Sequence, residues 1–318
     1  MILQVFILLI GLIFVVKGAD FLVDGASAIA RKFKVSEFVI GLTIVGFGTS
    51  CPELVVSVTG ALTGSSDVAA GNVIGSNIMN TLLILGLTAV VSPILITSQN
   101  KKRDIPLTLG VTVLFILFGM NKSLLGLGQS DMISRMEGLV FLLLFVIYLY
   151  ICFKLDSKEA DEETVSDSEE MKTWKSILFV ILGLAGLIGG GRMFVGSATR
   201  IATILGVSEK FIAITILAGG TSLPELVTCV IAAAKGKGQL ALGNILGSNI
   251  FNILLIIGCA AVVRPISMAN MNWVDMAALL VSASFIMLIS NRGKIDRRSG
   301  IALLCCEIAY MTYLITTL

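Results

Sequence analysis

The chain has 318 residues, of which 56% are hydrophobic and 14% charged, and its mean hydropathy is +0.98. Soluble domains carry about 25% charged residues, so this composition excludes an ordinary soluble protein. The net charge of +2 is too small to indicate nucleic-acid binding. The absence of histidine excludes an imidazole metal site, including that of a zinc metalloprotease.

Ten apolar segments are predicted to cross the membrane as helices, since a hydrocarbon core of roughly 30 Å requires about 20 apolar residues. The first segment lacks a basic amino-terminal region and an A-x-A-like cleavage site, so it is predicted to be a spanning helix and not a removable signal peptide. The predicted spans are residues 2–31, 36–62, 67–91, 104–120, 132–153, 174–202, 208–234, 239–263, 272–290 and 298–316. The predicted fold class is therefore an all-α integral membrane protein with ten transmembrane helices.

An acidic segment, residues 154–173, divides the ten spans into two groups of five. It carries eight acidic side chains between Asp156 and Glu170, which predicts a solvated and flexible connector. The predicted organisation is a first five-helix unit (1–153), an acidic linker (154–173) and a second five-helix unit (174–318).

The two five-helix units are copies of each other. A shift of 172 residues aligns 41–94 with 213–266 without a gap, and 29 of the 54 aligned positions are identical. Such self-similarity is typical of a tandem repeat. Because each copy contains an odd number of spans, the second copy enters the membrane in the opposite orientation. The two units are therefore predicted to be inverted repeats.

Basic residues predict the orientation, because Lys and Arg concentrate in cytoplasmic loops. In the first copy they cluster in residues 31–34 and 101–103, whereas in the second copy Lys235 and Lys237 lie in the loop equivalent to residues 63–65. With both termini outside, sixteen of the 23 Lys and Arg residues fall in cytoplasmic loops. We therefore predict a multi-pass protein of the cell (inner) membrane, with external termini and a cytoplasmic acidic linker.

The second span of each copy is interrupted by the same polar motif, GTSCPE at residues 48–53 and GTSLPE at residues 220–225. A proline inside a helix frees the carbonyl four residues earlier, here that of Gly48 or Gly220. A free carbonyl at membrane depth is costly unless it faces water, protein or an ion. The threonine and glutamate of each motif are four residues apart and share one helix face. Carbonyl, hydroxyl and carboxylate oxygens are thus brought together, which suits a hard cation such as Ca²⁺.

A second motif lies in the third span of each copy, as GNVIGSNIMN at residues 71–80 and GNILGSNIFN at residues 243–252. Its polar side chains recur every fourth residue and form one stripe in each copy: Asn72, Ser76 and Asn80, and Asn244, Ser248 and Asn252. Their amide and hydroxyl oxygens are suited to complete the coordination of a cation.

Small polar residues in a membrane helix more often pack helices together than bind a ligand. Glu53 and Glu225 argue against that reading, because a carboxylate at the centre of a spanning helix costs about 3 kcal/mol on insertion scales. Their symmetric positions predict one shared cation site near the membrane midplane. One Ca²⁺, two Na⁺ or two protons would neutralise its two charges. Other acids lie near or within spans, but most of them lack a repeat counterpart, and Lys17 is a candidate ion-pair partner for Asp20 or Asp24.

The four motif segments resemble the alpha repeats of the cation/calcium exchanger superfamily, and most closely those of its prokaryotic sodium/calcium antiporters. The resemblance covers essentially the whole chain. It implies two inverted five-helix repeats in which eight core helices stay nearly fixed while the first and sixth slide to give alternating access. It also implies a set of cation-binding side chains, with backbone oxygens of Gly46 and Ala218: Glu53, Glu225, Thr49, Thr221, Ser50, Ser222, Ser76, Ser248, Asn80 and Asn252.

The ion exchanged for Ca²⁺ is left open between Na⁺ and H⁺. The TSxPE pattern is closer to the sodium-coupled branch of the resembled superfamily. Some relatives carry aspartate at the position of Asn252, and the neutral amide here removes a potential charge. Burial also favours the protonated form of a glutamate, so H⁺ coupling is the alternative.

Two other classes of protein fit less well. An intramembrane hydrolase with Glu53 and Glu225 as its dyad would need distinct acid and base roles, whereas the repeat makes the two residues equivalent. A passive channel usually has a selectivity filter formed by a ring of like subunits, whereas inverted repeats are typical of alternating-access transporters. The predicted partners are therefore the lipid bilayer and the transported ions Ca²⁺ and Na⁺ or H⁺. No enzymatic activity, cofactor or nucleic-acid partner is predicted.

Overall fold

Long apolar helices form most of the computed structural model, which describes residues 1–126, 130–156, 171–206, 218–269 and 271–317. Seven helices in these ranges are long and apolar enough to cross a membrane. An eighth candidate span forms if the helical segments Glu37–Thr49 and Cys51–Thr63, which meet at a bend of 48°, are counted together. The prediction of a helical membrane protein is confirmed.

The first half contains nine α-helices, three π-helical segments and two short strands within the described residues. In chain order these are α1 (Ile2–Phe33), α2 (Glu37–Ile40), π1 (Gly41–Val45), α3 (Gly46–Thr49), α4 (Cys51–Thr63), α5 (Ser66–Met79), π2 (Asn80–Ile84), α6 (Leu85–Val91), β1 (Ile94–Leu95), π3 (Asn100–Asp104), α7 (Ile105–Gly119), α8 (Asn121–Leu125), β2 (Met132–Ile133) and α9 (Arg135–Asp156).

The described part of the second half repeats much of this order. It contains α10 (Thr173–Ile204), α11 (Ala218–Thr221), α12 (Leu223–Ala234), α13 (Gly238–Ile250), π4 (Phe251–Ile257), α14 (Gly258–Val263), β3 (Ile266–Ser267), α15 (Trp273–Ser290), β4 (Lys294–Ile295) and α16 (Arg297–Thr317).

The fourth predicted span, 104–120, corresponds to α7 (Ile105–Gly119), which continues without a break from π3 (Asn100–Asp104). The two segments together have 20 residues, enough to cross a hydrocarbon core of roughly 30 Å at 1.5 Å per residue. The seventh predicted span, 208–234, lies partly outside the described residues. Helix α9 continues to Asp156, inside the segment predicted as linker, and the remaining linker residues 157–170 are likewise outside the described ranges.

Four two-residue strands, which the sequence did not predict, join the two halves. Strand β1 pairs with β4, and β2 pairs with β3, both antiparallel. Each pair joins loops or span ends that the distribution of basic residues places on the same side of the membrane. The amide of Gln239 likewise donates to the carbonyl of Leu95 at 2.6 Å; Leu95 lies in a predicted cytoplasmic loop, and Gln239 is the first residue of the eighth predicted span, at its cytoplasmic end.

The third and eighth predicted spans form the centre of the fold. In the apolar stretches of the continuous helices Val68–Val91 and Gly238–Val263, 72% and 83% of the residues are buried, whereas in that of α1 the share is 22%. These two helices carry the second motif of each copy. Its polar side chains are therefore placed in the interior of the protein and not against lipid.

Helices α1 and α10, which are equivalent in the repeat, cross each other in antiparallel fashion at glycines. An added Cβ at Gly18 would lie 2.7 Å from the backbone nitrogen of Leu187, and one at Gly190 would lie 2.7 Å from the carbonyl oxygen of Gly11. Such contacts are possible only between backbones in close approach. The pair therefore forms one closely packed unit.

The α1–α10 pair does not cover the two halves equally. Helix α1 packs along α12, whereas α10 makes no comparable contact with α4, the repeat equivalent of α12. As a result Val55 on α4 is 54% exposed, while its equivalent Val227 on α12 is partly buried. One half of the bundle is thus closed by α1 and the equivalent half is left uncovered.

An ion pair fixes α1 to the loop after α12. The ammonium group of Lys235 lies 2.5 Å from Oδ1 of Asp20 and 2.7 Å from Oδ1 of Asp24, whereas Lys17 lies 4.0 Å from Asp20. Partial burial opposes the charge on Lys235, but its hydrogen bonds to both carboxylates outweigh this effect and raise the pKa of the ammonium group. Lys235, which is remote in sequence, is therefore the principal partner of these two acids.

Substitution of Gly190 by leucine is expected to separate α1 from α10, because the new Cβ would meet backbone atoms that cannot move aside. Overpacking costs about 1–3 kcal/mol, which corresponds to a fall of about 2–10 °C in the thermal midpoint of the detergent-solubilised protein. The matched control is Gly189→Leu on the same helix, where an added Cβ meets no described atom within 4 Å. Equal midpoints for the two variants would contradict the glycine crossing.

Candidate functional site

The two glutamates lie just after equivalent breaks in their helices. The chain leaves helical geometry at Ser50 (φ −83°, ψ 6°) and at Ser222 (φ −88°, ψ 7°). In each copy proline follows at the second residue of the next helix, where its missing N–H removes no helical hydrogen bond. Glu53 and Glu225 are the third residues of α4 and α12, and each is 1% exposed. The predicted helix breaks and the burial of both carboxylates are observed.

Each glutamate receives a hydrogen bond from the serine of the other repeat. The hydroxyl of Ser50 donates to Oε1 of Glu225 at 3.0 Å, and the hydroxyl of Ser222 donates to Oε1 of Glu53 at 3.2 Å. Thr49 and Thr221 interact with the same two carboxylates, again across the repeats. The first motifs of the two copies therefore form one site at their interface.

The second motifs lie against the first. The hydroxyl of Ser222 is 3.5 Å from that of Ser76. On the other side, Oδ1 of Asn244 accepts hydrogen bonds from Thr49 at 3.1 Å and from Ser248 at 3.4 Å. All four of Ser76, Ser248, Asn80 and Asn252 are buried, with at most 3% of each residue exposed.

Four oxygen atoms at this interface are buried without a hydrogen-bond partner among the described residues. They form two repeat-related pairs: Oε2 of Glu53 and Glu225, and Oδ1 of Asn80 and Asn252. Buried polar atoms in proteins are nearly always paired, so an unpaired group requires an explanation. Two carboxylate and two amide oxygens are ligands that hard cations prefer.

The two backbone oxygens implied by the resemblance lie at equivalent positions, at the first residue of α3 and of α11. The carbonyl of Gly46 accepts a hydrogen bond from the backbone N–H of Ser50 at 3.1 Å. The hydroxyl of Thr49 lies 3.4 Å from this carbonyl, but it has one proton and the carbonyl of Val45 is a nearer acceptor at 3.0 Å. Ala218 begins α11, after residues that lie outside the described ranges.

A third pair of asparagines belongs to the site but was not predicted. Asn77 and Asn249, the asparagines of the two GSN triplets, are buried and bond across the repeats to Asn252 and Asn80. One feature of the sequence could have identified them, since asparagine occupies both equivalent positions within apolar spans. Because they fall outside the four-residue stripe, the helical spacing gave no reason to select them.

The last asparagine of each stripe lies where its helix widens into a π-helical segment. Segment π2 begins at Asn80, and π4 contains Asn252 at its second residue. A π-helical turn shifts the register of the following helix and often occurs at functional sites. Neither segment was predicted from the sequence, since the residue pattern there is also compatible with a regular α-helix.

The site is strongly polar, but within the described residues Glu53 and Glu225 are its two carboxyl groups. The two carboxylates are close enough to interact electrostatically. Within the described ranges no group of three or more Asp, Glu, Cys or His side chains is placed to hold a metal ion. Neutral hydroxyl and amide oxygens therefore make up most of the donor set, an arrangement suited to a cation that binds and leaves.

Comparison with known proteins identifies relatives over nearly the full length. A family model described as "Sodium/calcium exchanger protein" matches residues 3–154 and, separately, residues 175–316. The putative antiporter CaxA of Alkalimonas amylolytica is 38% identical over 320 residues, covering 97% of this chain and 98% of that protein. The sodium/calcium exchanger MaX1 of Methanosarcina acetivorans is 37% identical over 340 residues, covering 97% of each.

A solved structure shows the same fold. The sodium-calcium exchanger NCX_Mj, soaked with 2.5 mM Na⁺ and 0.1 mM Ca²⁺, matches this chain with a TM-score of 0.85 at 34% identity, and the match covers 99% of both chains. The agreement in family, length and fold extends through both motif-bearing halves.

Proposed function

The chain belongs to the sodium/calcium exchanger family and is a membrane cation/Ca²⁺ antiporter, and we propose that it exchanges Ca²⁺ for Na⁺ by alternating access at one site between its two repeats. The four unpartnered oxygens of Glu53, Glu225, Asn80 and Asn252 carry this proposal. A Ca²⁺ ion takes six to eight oxygen ligands. The hydroxyls of the neighbouring serines and threonines are the candidates for the remaining positions.

Charge balance explains why the cations would exchange at this site and not bind independently. Two ionised carboxylates in a low-dielectric interior are unfavourable unless opposite charge accompanies them. One Ca²⁺ supplies two positive charges, and two Na⁺ supply the same. A site emptied of both ions would resist moving through a closed state, so each passage across the membrane requires a load.

The inverted arrangement of ten spans is part of the proposal. It is supported by the antiparallel crossing of α1 and α10, by the repeat-related hydrogen bonds and by the separate family match to each half. External termini, a cytoplasmic acidic linker and a location in the cell (inner) membrane are proposed from the basic loops. The contacts between segments predicted to share a side support the topology, and the basic loops alone assign which side is cytoplasmic.

Replacement of Glu53 or Glu225 by glutamine is expected to abolish Ca²⁺-dependent exchange, because either change removes half of the negative charge and one unpartnered carboxylate oxygen. The measurement is Ca²⁺ uptake into Na⁺-loaded proteoliposomes, with elution volume in detergent reporting correct folding. Neutralising the acids between Asp156 and Glu170 is the control, and it should change the uptake rate little. Near-normal uptake by either glutamine variant would overturn the shared site.

Proton exchange is the alternative, because two protons would also neutralise Glu53 and Glu225 and the site holds no third carboxylate within the described residues. We expect an imposed Na⁺ gradient to drive Ca²⁺ out of loaded proteoliposomes at constant pH. A pH gradient without Na⁺ should release little Ca²⁺ in the same vesicles. Release driven by the pH gradient alone would instead establish H⁺ as the coupling ion.

Unequal covering of the two halves predicts unequal access. A cysteine introduced at Val55 should react with a membrane-impermeant maleimide from the external side, because the face of α4 that bears it is left uncovered. The matched control is Val227→Cys at the equivalent position, where α1 covers α12. Peptide mass mapping separates these labels from the native cysteines. Labelling of Val227→Cys from the cytoplasmic side as fast as Val55→Cys from outside would contradict the unequal covering of the two halves.

A further inference from the structure

The side-chain amides of Asn80 and Asn252 present unpartnered oxygens at the site, and each amide could be turned in either of two directions. An asparagine side chain ends in an oxygen that attracts a cation and an NH₂ group that repels one, and the two ends have nearly the same shape. Asn80 and Asn252 can serve a cation only if the oxygen is directed to it. Some neighbouring group must therefore distinguish the two ends of each amide.

The backbone carbonyl of Asn249 makes this distinction for Asn252. A carbonyl can only accept, so the NH₂ group of Asn77 must face it, and the observed distance is 3.2 Å. Oδ1 of Asn77 is then directed away, toward Asn252. It accepts from the NH₂ group of Asn252 at 2.9 Å, which leaves Oδ1 of Asn252 as the free end. The backbone carbonyl of Asn249 therefore fixes the orientation of the Asn77 amide, which in turn fixes the orientation of the Asn252 amide.

A related chain of hydrogen bonds orients Asn80. The NH₂ group of Asn249 donates to the hydroxyl oxygen of Thr81 at 3.0 Å, and Oδ1 of Asn249 accepts from Asn80 at 3.1 Å. Oδ1 of Asn80 is again the unpartnered end. This second chain ends on a hydroxyl, which can also donate, so it constrains the amide less strictly than the carbonyl does.

We propose that Asn77 and Asn249 are positioning residues that direct the amide oxygens of Asn252 and Asn80 to the transported cation. The inference rests on the proposed function, since it assumes that the site binds Ca²⁺. Neither positioning residue needs to touch the ion. Each is buried and bonded to the opposite repeat, so it couples the amide of one half to the framework of the other.

The test is the half-saturating Ca²⁺ concentration for uptake into Na⁺-loaded proteoliposomes. Asn77→Leu retains the approximate size of the side chain but removes the acceptor, which frees the Asn252 amide to turn its NH₂ group toward the ion. Loss of a group that orients a metal ligand typically weakens metal affinity by about 10–100-fold. We expect a rise of that order, with little change in the maximal rate at saturating Ca²⁺.

Replacement of Asn252 distinguishes orientation from a general structural role. A carboxylate has oxygen at both ends, so Asn252→Asp needs no orienting partner. We expect Asn77→Leu to raise the half-saturating concentration at least tenfold when position 252 is native, and less than about threefold in the Asn252→Asp background. Equal effects in both backgrounds would overturn the positioning role.

Two further variants keep the result interpretable. Thr88→Val removes a buried hydroxyl that bonds the carbonyl of Ile84 at 2.6 Å, away from the asparagines, and should leave the half-saturating concentration unchanged. If Asn77→Leu fails to fold, Asn77→Thr replaces it, since the shorter side chain cannot bridge both partners.

Glu53→Gln is assayed in parallel, to separate failure of the positioning role from failure of the proposed function. Lost uptake in that variant with unchanged Ca²⁺ dependence in Asn77→Leu would overturn only the positioning role, whereas retained uptake in Glu53→Gln would overturn the proposed function itself.

Discussion

The burial of two carboxylates at one interface is the constraint on which the rest of the structure depends. Among the described residues, neither Glu53 nor Glu225 forms an ion pair with Lys or Arg. Each has one oxygen bonded to a serine and one oxygen with no partner. A buried charge without compensation costs several kcal/mol. In the proposed function a transported cation supplies this compensation, so the cost of burying the two carboxylates favours binding of the ion.

Neither half of the chain could form this site alone. The serine of each helix break bonds the glutamate of the other, and the asparagines of each GSN triplet bond the asparagines of the other copy. Hydrogen bonds across the repeats therefore join the central helices, and in the proposed function they also orient the cation ligands. Because these contacts come in repeat-related pairs, the two halves contribute nearly the same set of oxygens to the site.

The sequence indicated which side chains meet at the proposed site better than it indicated their hydrogen-bond partners. Proline after a helix break, a threonine and glutamate four residues apart and a repeated stripe are local patterns, so Glu53, Ser76 and Asn80 could be found from spacing. The bond from Ser50 to Glu225 spans 175 residues and depends on how the two halves meet. For the same reason Lys17 was the nearest candidate for Asp20 in sequence, whereas Lys235 is the principal partner in space. The π-helical turns left no signal because they change backbone register without requiring particular residues.

The repeat is close to symmetric at the site and clearly asymmetric at its edge. The position equivalent to Lys235 is Thr63, and those equivalent to Asp20 and Asp24 are Arg192 and Gly196, so the ion pair that holds α1 against the end of α12 has no counterpart in the other half. If the two copies were identical, the arrangement in which α1 covers α12 and the arrangement in which α10 covers α4 would have equal free energy. The ion pair forms only in the first arrangement, so it favours that one. Under the proposed function, ion chemistry and conformational preference therefore depend on different residues. The repeat-related glutamates and amides would bind the cation, whereas the ion pair of Lys235 with Asp20 and Asp24, which has no counterpart in the other half, would favour one of the two access states.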